Sequence, residues 1–186
     1  MSMFALALAV AVQTLGATTG RAPLDCAYAP GGSGELSTFK HCAWIDAEGQ
    51  VHFARRRLER MAYDERGLAS VYVRGWRYVA RSGRSAAVMT FDNGPDPFAS
   101  GLARSPAGKT VGYIDRSLRT VIPARFDGAY PFENGLAVVC NGCRTVADGE
   151  HSTYVGGSWG CIDRRGRFVV ALRPARDYAS CSRSEN

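Results

Sequence analysis

Val111-Gly112-Tyr113-Ile114-Asp115-Arg116-Ser117-Leu118-Arg119-Thr120-Val121-Ile122-Pro123 is the stretch that decides the fold. A short aromatic and β-branched run leads into a polar turn, and a second β-branched run returns from it. That is the pattern of a β-hairpin. Downstream stand Arg125-Phe126-Asp127, Pro131-Phe132 and Gly135-Leu136-Ala137-Val138-Val139, read as a looped connection followed by a third strand.

The same pattern recurs along the chain. Gly-Leu-Ala occurs at 67–69, 101–103 and 135–137, each copy 34 residues from the next. A fixed period of this size marks a structural repeat. Ile45, Val79 and Ile114 are aligned positions, 34 and 35 residues apart, whereas the step to Ile162 is 48. About 13 residues are therefore inserted after Val139, in a segment at about 140–158 that holds Cys140, Cys143 and His151. Asp46, Asp115 and Asp163 fall at one position of the unit, where an Asp side chain can bond the turn backbone. Recurrence points to turn capping, since catalysis needs such a group only once. No window sustains a helical period; residues 55–63 are the best candidate, for one or two turns.

These residues resemble the WG-repeat (KWG-repeat) proteins of bacteria. Their unit runs Trp/Tyr-Gly-(Tyr)-Ile-Asp, a Val-Ile-Pro strand, Phe-Asp, and Phe-x-x-Gly-Leu-Ala-Val-Val. The resemblance covers about residues 43–178 and is firmest from 111 to 170; Ala43 and Arg77 stand where Gly112 and Gly160 carry the motif glycine. It implies an all-β antiparallel meander of about four WG-like repeats of ~34 residues, solenoid-like or a partly closed sheet, with little helix. It also implies a binding surface, and it brings no active site.

The ends of the chain suggest its compartment. The first seventeen residues carry no charged side chain, and Met3 to Val12 is apolar, too short to span a bilayer. Residues 1–22 read as a signal peptide, cleaved near Ala17 or Ala22, ahead of a single repeat domain at 23–186. Asp25 before Cys26 breaks a lipobox. Six cysteines follow the leader: Cys26, Cys42, Cys140, Cys143, Cys161 and Cys181. An even set in an exported chain reads as disulfides, and nearest-neighbour pairing is our choice among the 15 pairings six cysteines allow. A periplasmic or secreted bacterial protein is the expectation, with no transmembrane segment after the leader is removed.

Net charge is +6, and 21 of the 23 basic residues are Arg. The cluster Arg55, Arg56, Arg57 and Arg60 would suit an acidic protein or an anionic envelope surface, although a solvated connection is the simpler reading. No nucleic-acid module is recognisable, so nucleic acid is not an expected partner.

Catalytic motifs are weak. Gly156-Gly157-Ser158-Trp159-Gly160 fits the nucleophile-elbow pattern, but it runs into a repeat strand where an elbow needs a helix. Cys140-Asn141-Gly142-Cys143 with His151 and Cys161 has zinc-ligand residue types, yet an exported pair at this spacing favours a local disulfide. Asp92-Asn93-Gly94-Pro95-Asp96 is oxygen-rich but reads as a turn. Neither a metal nor a cofactor is expected.

The sequence thus points to a non-enzymatic binding module, with an immunity-type inhibitor of a secreted effector as one concrete version. Its partner would meet the Arg55–Arg60 connection, the Asp92–Pro97 turn or the insertion with His151. The competing reading is an envelope-polymer hydrolase using His151 with Asp148 and Glu150.

Overall fold

A computed structural model describes residues 22–31, 34–149, 151–175 and 181, with the side chains of Asp148 and His151 not among those described. The expected leader lies almost wholly outside the described residues. The architecture is all-β, antiparallel throughout, with one sheet curled into a nearly closed, barrel-like form. The only described helix is a single turn, α1 (Arg55–Leu58), inside the window where sequence periodicity allowed one.

Three-stranded meanders recur along the chain. The first is β1 (Pro23–Tyr28), β2 (Ser37–Ile45) and β3 (Val51–Phe53). The second is β4 (Leu68–Tyr72), β5 (Trp76–Ala80) and β6 (Ser85–Ala87). A small hairpin follows, β7 (Thr90–Phe91) with β8 (Gly94–Pro95). The third meander is β9 (Leu102–Ala107), β10 (Thr110–Asp115) and β11 (Thr120–Phe126). The last begins with β12 (Gly128–Ala129) beside β13 (Leu136–Asn141). A side hairpin, β14 (Arg144–Asp148) and β15 (His151–Val155), comes before β16 (Ser158–Asp163) and β17 (Phe168–Pro174).

The pairing redraws the unit boundary. Gly-Leu-Ala opens the first strand of a meander; it does not close the preceding hairpin. Leu68 pairs with Ala80, Leu102 with Asp115 and Leu136 with Asp163, so each copy lies beside the strand that follows it. The reason is the turn just before the leucine. Ser100-Gly101 and Asn134-Gly135 are both left-handed pairs (φ 51 and 83, 51 and 82), the geometry of a type I′ turn. Each reverses the chain and delivers the leucine to a new sheet. The Phe-Asp segment is also more than a loop, because β12 adds to the last sheet by pairing Gly128 with Cys140 and Ala129 with Val139.

The motif glycine has a local cause. β10 and β11 pair with register shifts on either side of Tyr113, and β16 and β17 shift beside Cys161. At these bulges the backbones close in, and a Cβ on Gly112 would lie 2.3 Å from the Ile122 oxygen; on Gly160 it would lie 2.6 Å from that of Val170. Ala43 and Arg77 occupy the same place in unshifted pairings, which leave room for a side chain.

The repeated turns also behave as the sequence predicts. Asp46 and Asp115 accept from the Gln50 and Arg119 amides at 2.7 and 2.9 Å, and Asp163 accepts from Arg165 and Arg167 at 2.9 Å each. Leu118 takes the left-handed place (φ 56) that Gly49, Gly83 and Gly166 hold in the equivalent turns.

The meanders are tied laterally. β1 pairs with β4 through Ala27–Tyr72 and Tyr28–Val71, joining the first two into one six-stranded sheet. Arg116 reaches Asp64 at 2.9 Å, Arg125 donates to the Gly166 carbonyl at 2.6 Å, and Arg84 donates to that of Ser117. Between the third and last meanders, Leu102, Tyr113, Ile122 and Phe126 bury against Phe132, Ala137, Val139 and Ile162. Three disulfides complete the fold: Cys26–Cys42, Cys140–Cys143 and Cys161–Cys181.

Candidate functional site

Register defines an equivalent position in successive meanders. Ser70, Arg104 and Val138 each lie two residues beyond the Gly-Leu-Ala leucine, on the same face of the strand. Their cross-strand partners are Tyr78, Tyr113 and Cys161. The two tyrosines do one job. Tyr78 donates its hydroxyl to the Asp96 carbonyl at 2.9 Å and Tyr113 donates to that of Tyr130 at 2.7 Å, each the carbonyl before a Pro-Phe pair. The phenylalanines of those pairs, Phe98 and Phe132, lie 4.8 Å from the same rings. Burial pushes the Tyr78 hydroxyl up to about 12 and that of Tyr113 higher still. In the last meander Cys161 stands in the tyrosine's place and bonds Cys181, 20 residues on, the same separation as Tyr78 and Phe98.

In the third meander the space over this position is filled from within. Arg104 is 7% exposed and Asp96 is fully buried. The guanidinium donates twice to one Asp96 oxygen, through Nε at 2.9 Å and through Nη2, and its Nη1 donates to the Ala129 carbonyl at 3.1 Å. The Arg104 amide donates to the other carboxylate oxygen at 2.7 Å. The pair is geometrically complete, which is the condition under which a buried charge pair is tolerated.

On either side the equivalent space is open. Thirty-four residues beyond Asp96 and Arg104 stand Tyr130 and Val138, and both line a cleft of about 450 Å³. Its other walls are Tyr154, Val155, Gly156, Trp159 and Ala175. Tyr130 meets Tyr154 edge-on at 5.6 Å and Trp159 at 6.2 Å; the Trp159 indole is oriented by donating to the Gly156 carbonyl at 2.7 Å. The insertion that breaks the period thus folds as a side hairpin and supplies one wall of an aromatic cleft. In the second meander Ser70 lies on the floor of a groove of about 470 Å³ with Leu68, Trp76 and Tyr78. Ala29, Leu36, Ala62 and Asp64, and the hairpin residues Asp92-Asn93-Gly94-Pro95, complete its lining.

The residues singled out from the sequence are distributed differently. Arg55 and Arg56 are exposed on α1, with Arg55 pairing Glu59 at 3.2 Å. Arg57 lies over the Phe39 ring at 5.1 Å and donates to the Lys40 carbonyl, and Arg60 accepts from the Gly31 amide through its carbonyl. None of the four lines either groove. The backbone of His151 pairs with Asp148 at the tip of the side hairpin; its side chain and Glu150 lie outside the described residues. Asp92 and Asn93 are the left-handed corner (φ 43 and 61) of the β7–β8 hairpin, a turn as read. His52 stacks on Trp44 and bonds Asp46 at 2.6 Å, and that hydrogen bond, with the Gln50 amide, holds the Asp46 carboxyl below its ordinary value. Among the described residues no group of three metal-ligating side chains is assembled.

Sequence reading missed the Asp96–Arg104 pair and the cleft around Tyr130, Tyr154 and Trp159. A signal existed: folding the sequence on its 34-residue step sets Asp96 between Ala62 and Tyr130 and Arg104 between Ser70 and Val138, two opposite charges in otherwise uncharged columns.

Comparison with known proteins agrees with the motif. A family model described as WG containing repeat matches residues 112–142, the stretch where the unit is most complete. No curated protein and no solved structure matches the chain.

Proposed function

We propose that this chain, a WG-repeat protein, is an exported binding module whose partner seats in the aromatic cleft at the break of the period. One observation carries the reading. The position that the third meander plugs with its own ion pair is opened in the last meander and walled by Tyr130, Tyr154 and Trp159. Half-buried aromatics with a polar tip are the side chains from which protein interfaces draw most of their binding energy. Export is supported by three disulfides, which persist in oxidising compartments, and no described helix is long and apolar enough to cross a membrane. An immunity-type inhibitor of a secreted effector is the concrete form we favour, with the insertion as the contact and the rest of the array as scaffold.

Capture from periplasmic extract by the oxidised full chain tests this. Tyr154→Ala is expected to weaken capture of a specific protein by about tenfold or more, the range of a hot-spot aromatic. Arg55→Ala with Arg56→Ala should leave capture unchanged. The reverse ranking would move the site to the arginine cluster and overturn the reading.

A further inference from the structure

We infer that the second groove, floored by Ser70, receives the guanidinium of an arginine in an extended segment of a partner protein. The inference rests on the binding-module reading and gives its second groove a ligand chemistry. The argument begins inside the molecule. At the register position of Ser70 the third meander carries Arg104, whose guanidinium is held by a carboxylate and a carbonyl, with the Phe91 ring 6.0 Å away. The fold therefore already accommodates an arginine head over this position. In the second meander Ser70 ends at its hydroxyl, and Ala62, 34 residues before Asp96, supplies no carboxylate. About 470 Å³ is left open as a result.

The lining suits a planar cation. The half-buried Tyr78 and the buried Trp76 line the groove, and guanidinium groups stack on aromatic rings. Asp92 and Asp64 both line the groove. Asp64 is engaged by Arg116, whereas the Asp92 carboxylate pairs with no cation among the described residues and is free to accept a forked guanidinium. The rim is apolar. Leu36, Tyr72 and Phe91 are 56, 49 and 49% exposed, three of the six exposed large hydrophobic side chains described. Leu36 lines the groove, Tyr72 follows Leu68 and Ser70 on the same strand face, and Phe91 adjoins Asp92 in the hairpin wall. A matching segment carries one arginine flanked by apolar residues.

The test uses the full oxidised chain, labelled with nitrogen-15, and the pentapeptide acetyl-Ala-Leu-Arg-Leu-Ala-amide. Versions with citrulline, lysine or glutamate at the centre serve as controls. The arginine peptide is expected to give saturable shifts of the Trp76 indole N–H and the Ser70 amide, with the citrulline and lysine versions at least about fivefold weaker and the glutamate version silent. Ser70→Arg, which restores the internal occupant, should abolish those shifts. Asp92→Asn keeps a residue that tolerates the left-handed turn and should weaken binding about threefold or more, so the test survives if Ser70→Arg does not fold. Equal binding of the citrulline peptide, shifts centred on Trp159, or no saturable shift would overturn the inference. Should capture still depend on Tyr154 in that event, the cleft reading stands and only this inference fails.

Discussion

The third meander and the last share a strand register, a turn and a bulge, yet one is sealed and the other open. The difference lies in two residues eight apart. Asp96 and Arg104 in one become Tyr130 and Val138 in the other. Where the pair is ionic it closes on itself beneath β7–β8 and joins the loop before β9 to the Ala129 carbonyl. Where it is aromatic and aliphatic it becomes one side of a cleft completed by an extra hairpin. The array thus uses one backbone for two purposes, cohesion at its centre and exposure at its flank, and the side chain two residues past Gly-Leu-Ala selects between them.

Swapping the pair is the strongest way to break the comparison. Asp96→Ala alone should cost about 3–5 kcal/mol in urea unfolding, because it strands the Arg104 guanidinium in a buried site. Asp96→Tyr with Arg104→Val installs the residues of the last meander and should recover most of that loss. A double variant as unstable as the single one would show that the two meanders are not interchangeable. The glycine bulge comes next. Gly112→Ala should cost about 2–3 kcal/mol, since its Cβ would meet the Ile122 carbonyl, while Arg77→Ala at the equivalent unshifted position should stay within about 1 kcal/mol.

Smaller effects sharpen the picture of the tyrosine anchors. Tyr78→Phe removes one hydrogen bond to the Asp96 carbonyl and should cost about 1 kcal/mol, leaving the stacking on Phe98 intact. The pH dependence follows from the raised hydroxyls. An unfolded tyrosine loses its proton near pH 10 and the folded Tyr78 near 12, so between them the native state binds more protons. Stability is complete below about pH 10 and falls as pH rises through that window. Denaturation midpoints across it should fall less steeply for Tyr78→Phe than for the parent chain. An equal slope would mean that Tyr78 ionises as it does in water.

Much of the fold was legible because its signals are local. An Asp that bonds the amide four residues on, or a left-handed Asn134-Gly135 pair before a strand, acts within one turn and repeats with the period. Strand partnership is not local. Leu136 had hairpins on both sides in sequence, and alternation alone does not choose between them, so the unit boundary was set one strand too late. The motif glycine raised a different difficulty: its meaning lies in the register shift of the neighbouring strand, which its own sequence does not encode. At the candidate site the insertion is conspicuous as a broken interval, but nothing in the residues around Arg104 marks it as buried. Only its partner eight residues earlier, across the turn at Ser100-Gly101, makes it a plug.

Hydrogen–deuterium exchange on the chain alone and with its captured partner tests the central claim most directly. The account predicts slowed exchange in residues 130–138 and 151–159, which hold Tyr130, Val138, Tyr154 and Trp159, with 96–106 unchanged because that face is already closed by Asp96 and Arg104. Protection centred on 96–106, or on the arginines at 55–60 with the cleft unaffected, would contradict it.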